Sequence, residues 1–165
     1  MASRSERAVD ACREVMAGVA AGIAVLTLID ADGGRHGMTI SSLTPVSADP
    51  PSVLVCVGAA ASSRRHLFEG QQMAVSVLAG DQVAQSNGFA FGDADPFVTF
   101  PWGTQGDGPP VLDGAAGHLI CEVERVVEHH DTAVVLAGVV DGAVTKDEAL
   151  VYWNSKYFSG LTPAE

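Results

Sequence analysis

The chain has 165 residues, 47% of them apolar, with 18 glycines and 8 prolines that follow no period. That length suits one domain burying roughly two-thirds of its unfolded surface, and the turn-rich composition favours strands over a helical bundle. Twenty acidic against nine basic residues give a formal charge of −11, a field that repels nucleic acid, and no apolar run reaches the ~18 residues of a membrane span. With Met1 to Glu6 polar and no secretory leader pattern, a cytoplasmic protein with neither nucleic-acid nor membrane partner is expected.

Ser3 with Glu6 fits a capping box, and Val9, Cys12, Met16 and Val19 recur at helical steps, predicting an amphipathic first helix. Ile23 to Ile29 is rich in branched residues and ends at Asp30-Ala31-Asp32-Gly33-Gly34, which tolerates the positive φ of a hairpin; Arg35 to Ser42 is the returning strand. Asp49-Pro50-Pro51 cannot continue a ladder and reads as a loop feeding a buried strand, Ser52 to Val57. Ser62 and Ser63 are expected to cap a short helix over Arg64 to Glu69, stopped by Gly70, before a strand at Met73 to Leu78. Asp81 is expected to cap a second short helix running toward Phe91.

Gly92 to Gly117 is full of glycine and proline around Phe97, Phe100 and Trp102, and reads as a long loop bordering a site. Leu119, Cys121 and Val123 alternate with Glu122 and Glu124, Val134 to Val140 is a further apolar run, and Leu150 to Phe158 closes the series. Seven strands with short connections and two or three helices predict a mainly β (α+β) domain, an antiparallel barrel with capping helices. It spans residues 1–165, with 1–12 as extension and helix start and 159–165 as a tail.

The chain has no GxSxG, HExxH, GxxxxGK[ST] or GxGxxG motif, so hydrolase and Rossmann chemistry lose their main support. Cys12, Cys56 and Cys121 are odd in number and set among apolar neighbours, arguing against disulfides. The nearest approach to a metal cluster, His129-His130-Asp131, would point to alternating faces of a strand, so no metal is expected.

Gly37-Met38-Thr39-Ile40-Ser41-Ser42, then Leu43-Thr44-Pro45-Val46-Ser47-Ala48-Asp49-Pro50-Pro51 and Val53-Leu54-Val55-Cys56-Val57, closely resemble the signature of the flavin reductase-like family. The resemblance extends to Ser62-Ser63-Arg64, Val75 to Leu78 with Asp81-Gln82, Phe97, Pro101-Trp102 and Val111-Leu112-Asp113-Gly114 leading into Cys121-Glu122-Val123, and covers nearly everything from Arg13 to Phe158. It implies a homodimeric split barrel with Greek-key strands. It also implies hydride transfer from NADH or NADPH to FMN (or FAD), with reduced flavin diffusing to a partner monooxygenase.

By that resemblance Thr39, Ile40, Ser41 and Ser42 lie along the flavin ring edge, with Cys56 and Val57 on the adjoining strand. The small side chains suit the approach of main-chain donors, whose dipoles stabilise charge on a reduced ring. Ser62, Ser63 and Arg64 at a helix start, with Arg65 beside them, offer hydroxyls and positive charge to a phosphate. Phe97 and Tyr157 are the aromatics expected against the rings, Trp102 and Trp153 being packing residues. No acid–base catalytic residue is expected, because alignment of the two rings does the chemistry. The alternative is a flavin carrier or electron-transfer protein without efficient reductase activity; a barrel of the pyridoxamine phosphate oxidase type would need further basic contacts.

The chain departs from the family at one place. Family members commonly carry an Asp-His-Thr pattern whose histidine is associated with the nicotinamide, whereas here the order is His129-His130-Asp131-Thr132-Ala133. Alignment on the following apolar strand sets Thr132 or Ala133 where that histidine would stand; His130 compensates only if the turn carries one extra residue, since one step along a strand reverses the side-chain face and adjacency alone does not restore the contact. A working reductase with weak nicotinamide binding is the expectation.

Overall fold

Fold and site rest on a computed structural model that describes residues 3–104, 108–161 and 163; the first two residues of the expected extension, and residues 162, 164 and 165 of the expected tail, lie outside it. Helix α1 (Arg4–Ala17) starts at the expected capping box: Ser3 Oγ accepts from the Glu6 N–H at 3.2 Å, and Glu6 Oε2 accepts from the Ser3 N–H at 2.6 Å. None of its residues is buried. Two short strands with their successors follow as β1 (Ala21–Gly22), β2 (Ala24–Ile29) and β3 (Arg35–Ile40). Asp30 makes the β2–β3 turn, its Oδ1 accepting from the N–H groups of Gly34 (2.7 Å) and Asp32 (3.0 Å), while Gly33 takes φ 84°. Its carboxyl pKa is lowered to about 2, first by the hydrogen bond from His36 and then by that from Gly34.

β4 (Thr44–Ala48) and β5 (Pro51–Gly58) pair antiparallel, and the sequence reading missed β4 because Pro45 interrupts it. The strand is exposed throughout and lies at a sheet edge, where a missing donor costs no ladder bond. The helix expected over residues 64–69 is a 3₁₀ helix at Ser62–His66 instead, capped by no side chain. β6 (Gln72–Val77) follows it, and α2 (Val83–Phe91) starts after Gln82 and not from an Asp81 cap. The Gln82 amide is engaged elsewhere, accepting from the Ala79 N–H and donating to the Asp113 carbonyl. The expected long loop contains α3 (Pro96–Thr99), capped by Asp95 with proline at its start, and strands β7 (Trp102–Thr104) and β8 (Pro110–Leu112).

β9 (Gly117–His129) and β10 (Thr132–Val144) form the longest hairpin, bent by two register shifts. β11 (Val151–Trp153) and β12 (Lys156–Phe158) close the chain around Asn154 and Ser155, both at positive φ. The main sheet is antiparallel in the order β3-β2-β6-β9-β10-β5-β4; β1-β11-β12 and β7-β8 form two small sheets. Among the described residues the fold is therefore mainly β with three α-helices. No helix among the described residues is long and apolar enough to cross a membrane.

β2 explains the layering. Ala24, Leu26 and Leu28 face a core shared with Val55, Val57, Val75, Val123 and Val135, whereas Val25 faces a second cluster with Ile23, Leu78, Leu112 and Leu150. A strand apolar on both faces must be covered on both.

The sheet order places β3 at one end and β4 at the other, yet the chain runs from β3 to β4 through three residues. Ser42, in that connection, meets β5: its Oγ accepts from the Cys56 N–H at 2.9 Å and donates to the Cys56 carbonyl at 3.1 Å. Ser42→Ala removes both bonds and strands a half-buried amide, so denaturant unfolding should show a loss of about 1–3 kcal/mol; an unchanged midpoint would mean the connection holds without them.

Candidate functional site

The end of β3 contributes one half of the site. Thr39 Oγ1 donates to the Ser86 carbonyl of α2 at 2.7 Å. Ser86 is fully buried, and its Oγ stands 2.9 Å from the Tyr157 hydroxyl, which donates to Asn87 Oδ1 at 3.0 Å. Because that hydroxyl has one proton, Ser86 is the donor to Tyr157, and a chain of bonds runs from β3 through α2 to β12. A pocket of about 190 Å³ opens beside it, bounded by Thr39, Ile40, Ser41, Ser86, Phe91 and Tyr157. Phe91 is 84% exposed at its rim. Four residues singled out from the sequence thus share one pocket.

The second half lies beyond β5. Ala59 to Ala61 lead into the 3₁₀ helix, and with Ser62, Arg64, Arg65 and Glu128 they line an open cleft of about 540 Å³. Ser62 is exposed to it. Ser63 does not line it: the side chain is 1% exposed and its Oγ has no hydrogen-bond partner among the described residues. Arg64 donates to the Asp131 carbonyl at 2.8 Å and pairs with the Glu128 carboxylate. Its charge is therefore shared with an acid that a ligand phosphate would have to displace, a competitor the sequence reading did not identify.

The Ser42 bonds join the halves, since they fix residues 39–42 to the strand that runs through Cys56, Val57 and Gly58 into the cleft. Cys56 is half-buried; Val57 points into the core with no exposure, leaving its main chain for any ligand. Phe97 lines neither opening. Its ring packs edge-on against Phe89 at 5.4 Å and tilted on Trp102 at 5.0 Å, beneath Gly37, where an added Cβ would sit 2.6 Å from Phe89 and 3.1 Å from Phe97. Trp102 is a packing residue as expected, and Trp153 donates its indole N–H to the Gly18 carbonyl at 3.0 Å, pinning the chain after α1.

His130 occupies a two-residue turn between β9 and β10 with φ 53°. The turn leans over the cleft, because the Asp131 carbonyl also accepts from the Ala59 N–H at 2.7 Å. Ala133 is directed into the core with 1% exposure and Thr132 is half-buried, so of these two residues of β10 only Thr132 keeps its side chain out of the core. Among thiols, Cys121 is sealed in the core, and burial pushes its pKa up to about 11.

Ser86 and Asn87 were missed from sequence. The available signal was a Ser-Asn pair inside a short helix, where such side chains compete with the backbone unless given another partner.

With this geometry in view, residues 16–161 match the family model described as flavin reductase like domain, and the chain belongs to that family. It is 35% identical over 155 residues to the NADH:riboflavin 5'-phosphate oxidoreductase of Streptomyces pristinaespiralis, covering 92% of this chain and 87% of that one. The NADH:FAD oxidoreductase of Streptomyces globisporus, solved with NAD and FAD fragments, superposes with a TM-score of 0.87 at 29% identity, covering 100% of this chain and 99% of its own. The styrene monooxygenase flavin reductase of Pseudomonas putida gives a TM-score of 0.83 at 32% identity, with 92% and 99% covered. Some matched flavin reductases are longer, and the chain spans 48% of their length.

Proposed function

We propose that this protein is an NADH-dependent flavin reductase that holds FMN, or FAD by the same contacts, along residues 39–42 and over Ser62 and Arg64. One observation carries the reading: the Ser42 bonds bring the flavin-edge strip to the strand that feeds a cleft offering a hydroxyl and a guanidinium. The curled main sheet is read as the Greek-key split barrel of a single domain, with α1 to α3 as its caps. When bound, flavin supplies a ring that accepts hydride from a reduced nicotinamide.

The chain's own part is positional. Thr39 is held by Ser86, Ser86 by Tyr157, and Ser41 and Ser42 follow the last paired residue of β3, where small side chains leave the main chain approachable. Val57 serves through its backbone, Phe97 supports β3 from beneath, and Ser63 supports the helix from within. No side chain here needs to move a proton. The likeness to a monooxygenase reductase supports delivery of reduced flavin to a partner oxygenase; the cytoplasm is proposed as the place of that exchange.

A homodimer completes this reading. Val9, Met16 and Val19 are exposed around α1, as are Tyr152, Trp153 and Phe158 on the small sheet, and the ring pocket is open beside Phe91. A second copy would cover such apolar surface and close the pocket. Light scattering should return twice the chain mass; a monomer with normal flavin affinity would remove the dimer from the proposal.

Arg64→Ala should weaken FMN binding by ~1–3 kcal/mol in fluorescence titration while sparing riboflavin, which lacks the phosphate. Glu128→Gln should act in the opposite sense, tightening FMN by freeing Arg64. Equal effects on both ligands would locate the phosphate elsewhere.

Added FMN should trigger NADH oxidation, with an apparent KM roughly tenfold higher than in Thr132→His, which restores an imidazole at the register position. Loss of activity in His130→Ala would identify His130 as the nicotinamide contact instead, and no oxidation by any variant would leave a flavin carrier.

A further inference from the structure

Asp30 and His36 flank the β2–β3 turn, and His66, thirty residues further on, joins them where that hairpin meets the end of the 3₁₀ helix. Their ligand atoms all lie within 4.8 Å of one another, and all three residues are half-buried. Asp30 Oδ1 is committed to the turn, whereas Oδ2 is directed at His36 Nε2, 2.7 Å away. The His36 ring stacks on that of His66 with centroids 4.0 Å apart and planes at 26°. None of these contacts belongs to the flavin strip or to the ring pocket.

We propose that Asp30, His36 and His66 form a binding site for a divalent transition-metal ion of the zinc type. Two imidazoles and one carboxylate are the donor set such ions take, and imidazole selects zinc, nickel and copper over magnesium or calcium. The ion would replace the proton now shared between His36 and Asp30. Zinc–ligand bonds of about 2.0–2.2 Å set tetrahedral ligand atoms roughly 3.4 Å apart, so Asp30 Oδ2 and His36 Nε2, now 2.7 Å apart, must separate slightly to admit the ion while His66 turns toward it, changes within reach of ring rotations in half-buried side chains. With three protein ligands a fourth position stays open to water, and the negative field of a −11 chain raises the local cation concentration. Bound there, the ion would fasten the hairpin to the helix that carries Ser62 and Arg64.

One cation opposes it. Arg65 Nε donates to His66 Nε2 at 2.9 Å, but Arg65 is exposed and free to swing into solvent. Removing it should therefore favour the metal, which separates this site from adventitious histidine binding elsewhere.

The test uses full-length, tag-free protein stripped with chelator and titrated with Zn²⁺ by calorimetry, with Co²⁺ absorption as a second probe. One ion per chain is expected, with cobalt bands of four-coordinate intensity. His66→Ala and His36→Gln should each weaken binding at least about tenfold. Arg65→Ala should keep or tighten it, and His129→Ala with His130→Ala should leave it unchanged. Circular dichroism of each variant without metal verifies its fold. Absence of one-to-one binding in the wild type, equal binding in folded His66→Ala, or loss in the His129/His130 variant would each overturn the proposal.

Discussion

The main sheet has its two ends at β3 and β4, and both halves of the candidate site depend on those ends meeting. A flat sheet of seven strands would hold them far apart, at ~4.8 Å per strand. The direct passage from β3 to β4 forces the sheet to curl, and Ser42 fixes how far by exchanging two hydrogen bonds with the N–H and C=O of a single residue of β5, Cys56. The bends in the β9–β10 hairpin supply the required curvature in the middle of the same sheet.

Electrostatics around the cleft follow from an acidic chain that keeps a few basic groups in one place. Arg64 is drawn toward the Asp131 carbonyl and the Glu128 carboxylate, so the guanidinium is oriented before any ligand arrives. An oriented donor loses less freedom on binding, but the carboxylate beside it adds a cost to every anion. The two effects oppose each other at the same guanidinium, so any anion entering the cleft meets an oriented donor and a competing acid together.

Much of this was legible in the sequence because local chemistry and global fold agree. The capping box at Ser3, the Asp30-to-Gly34 turn and the branched apolar run that forms β2 are short-range signals, and each appears as read. What escaped required knowledge of neighbours. β4 hides behind Pro45 because edge strands tolerate proline. Asp81 looked like a cap, but Gln82 stands at the helix start and its amide holds Ala79 and Asp113 in place. Phe97 is expected against the rings by resemblance and residue type; α3, invisible among glycines and prolines, sets it under Gly37 against Phe89 and Trp102. Ser63 differs from Ser62 only by one step of a tight helix, which sends one hydroxyl outward and the other inward.

The double burial of β2 and β6 also sets a gradient of local stability through the site. Backbone amides in those strands are shielded on both sides and should open only with the whole molecule, whereas the five-residue 3₁₀ helix has one inward serine, few apolar anchors and no side-chain cap. Residues 39–42 hang from the slow end of that gradient through β3, and Ser62 and Arg64 sit at its fast end. Residues 39–42 are thus held on a scaffold that barely breathes, while the short helix carrying Ser62 and Arg64 can loosen on its own.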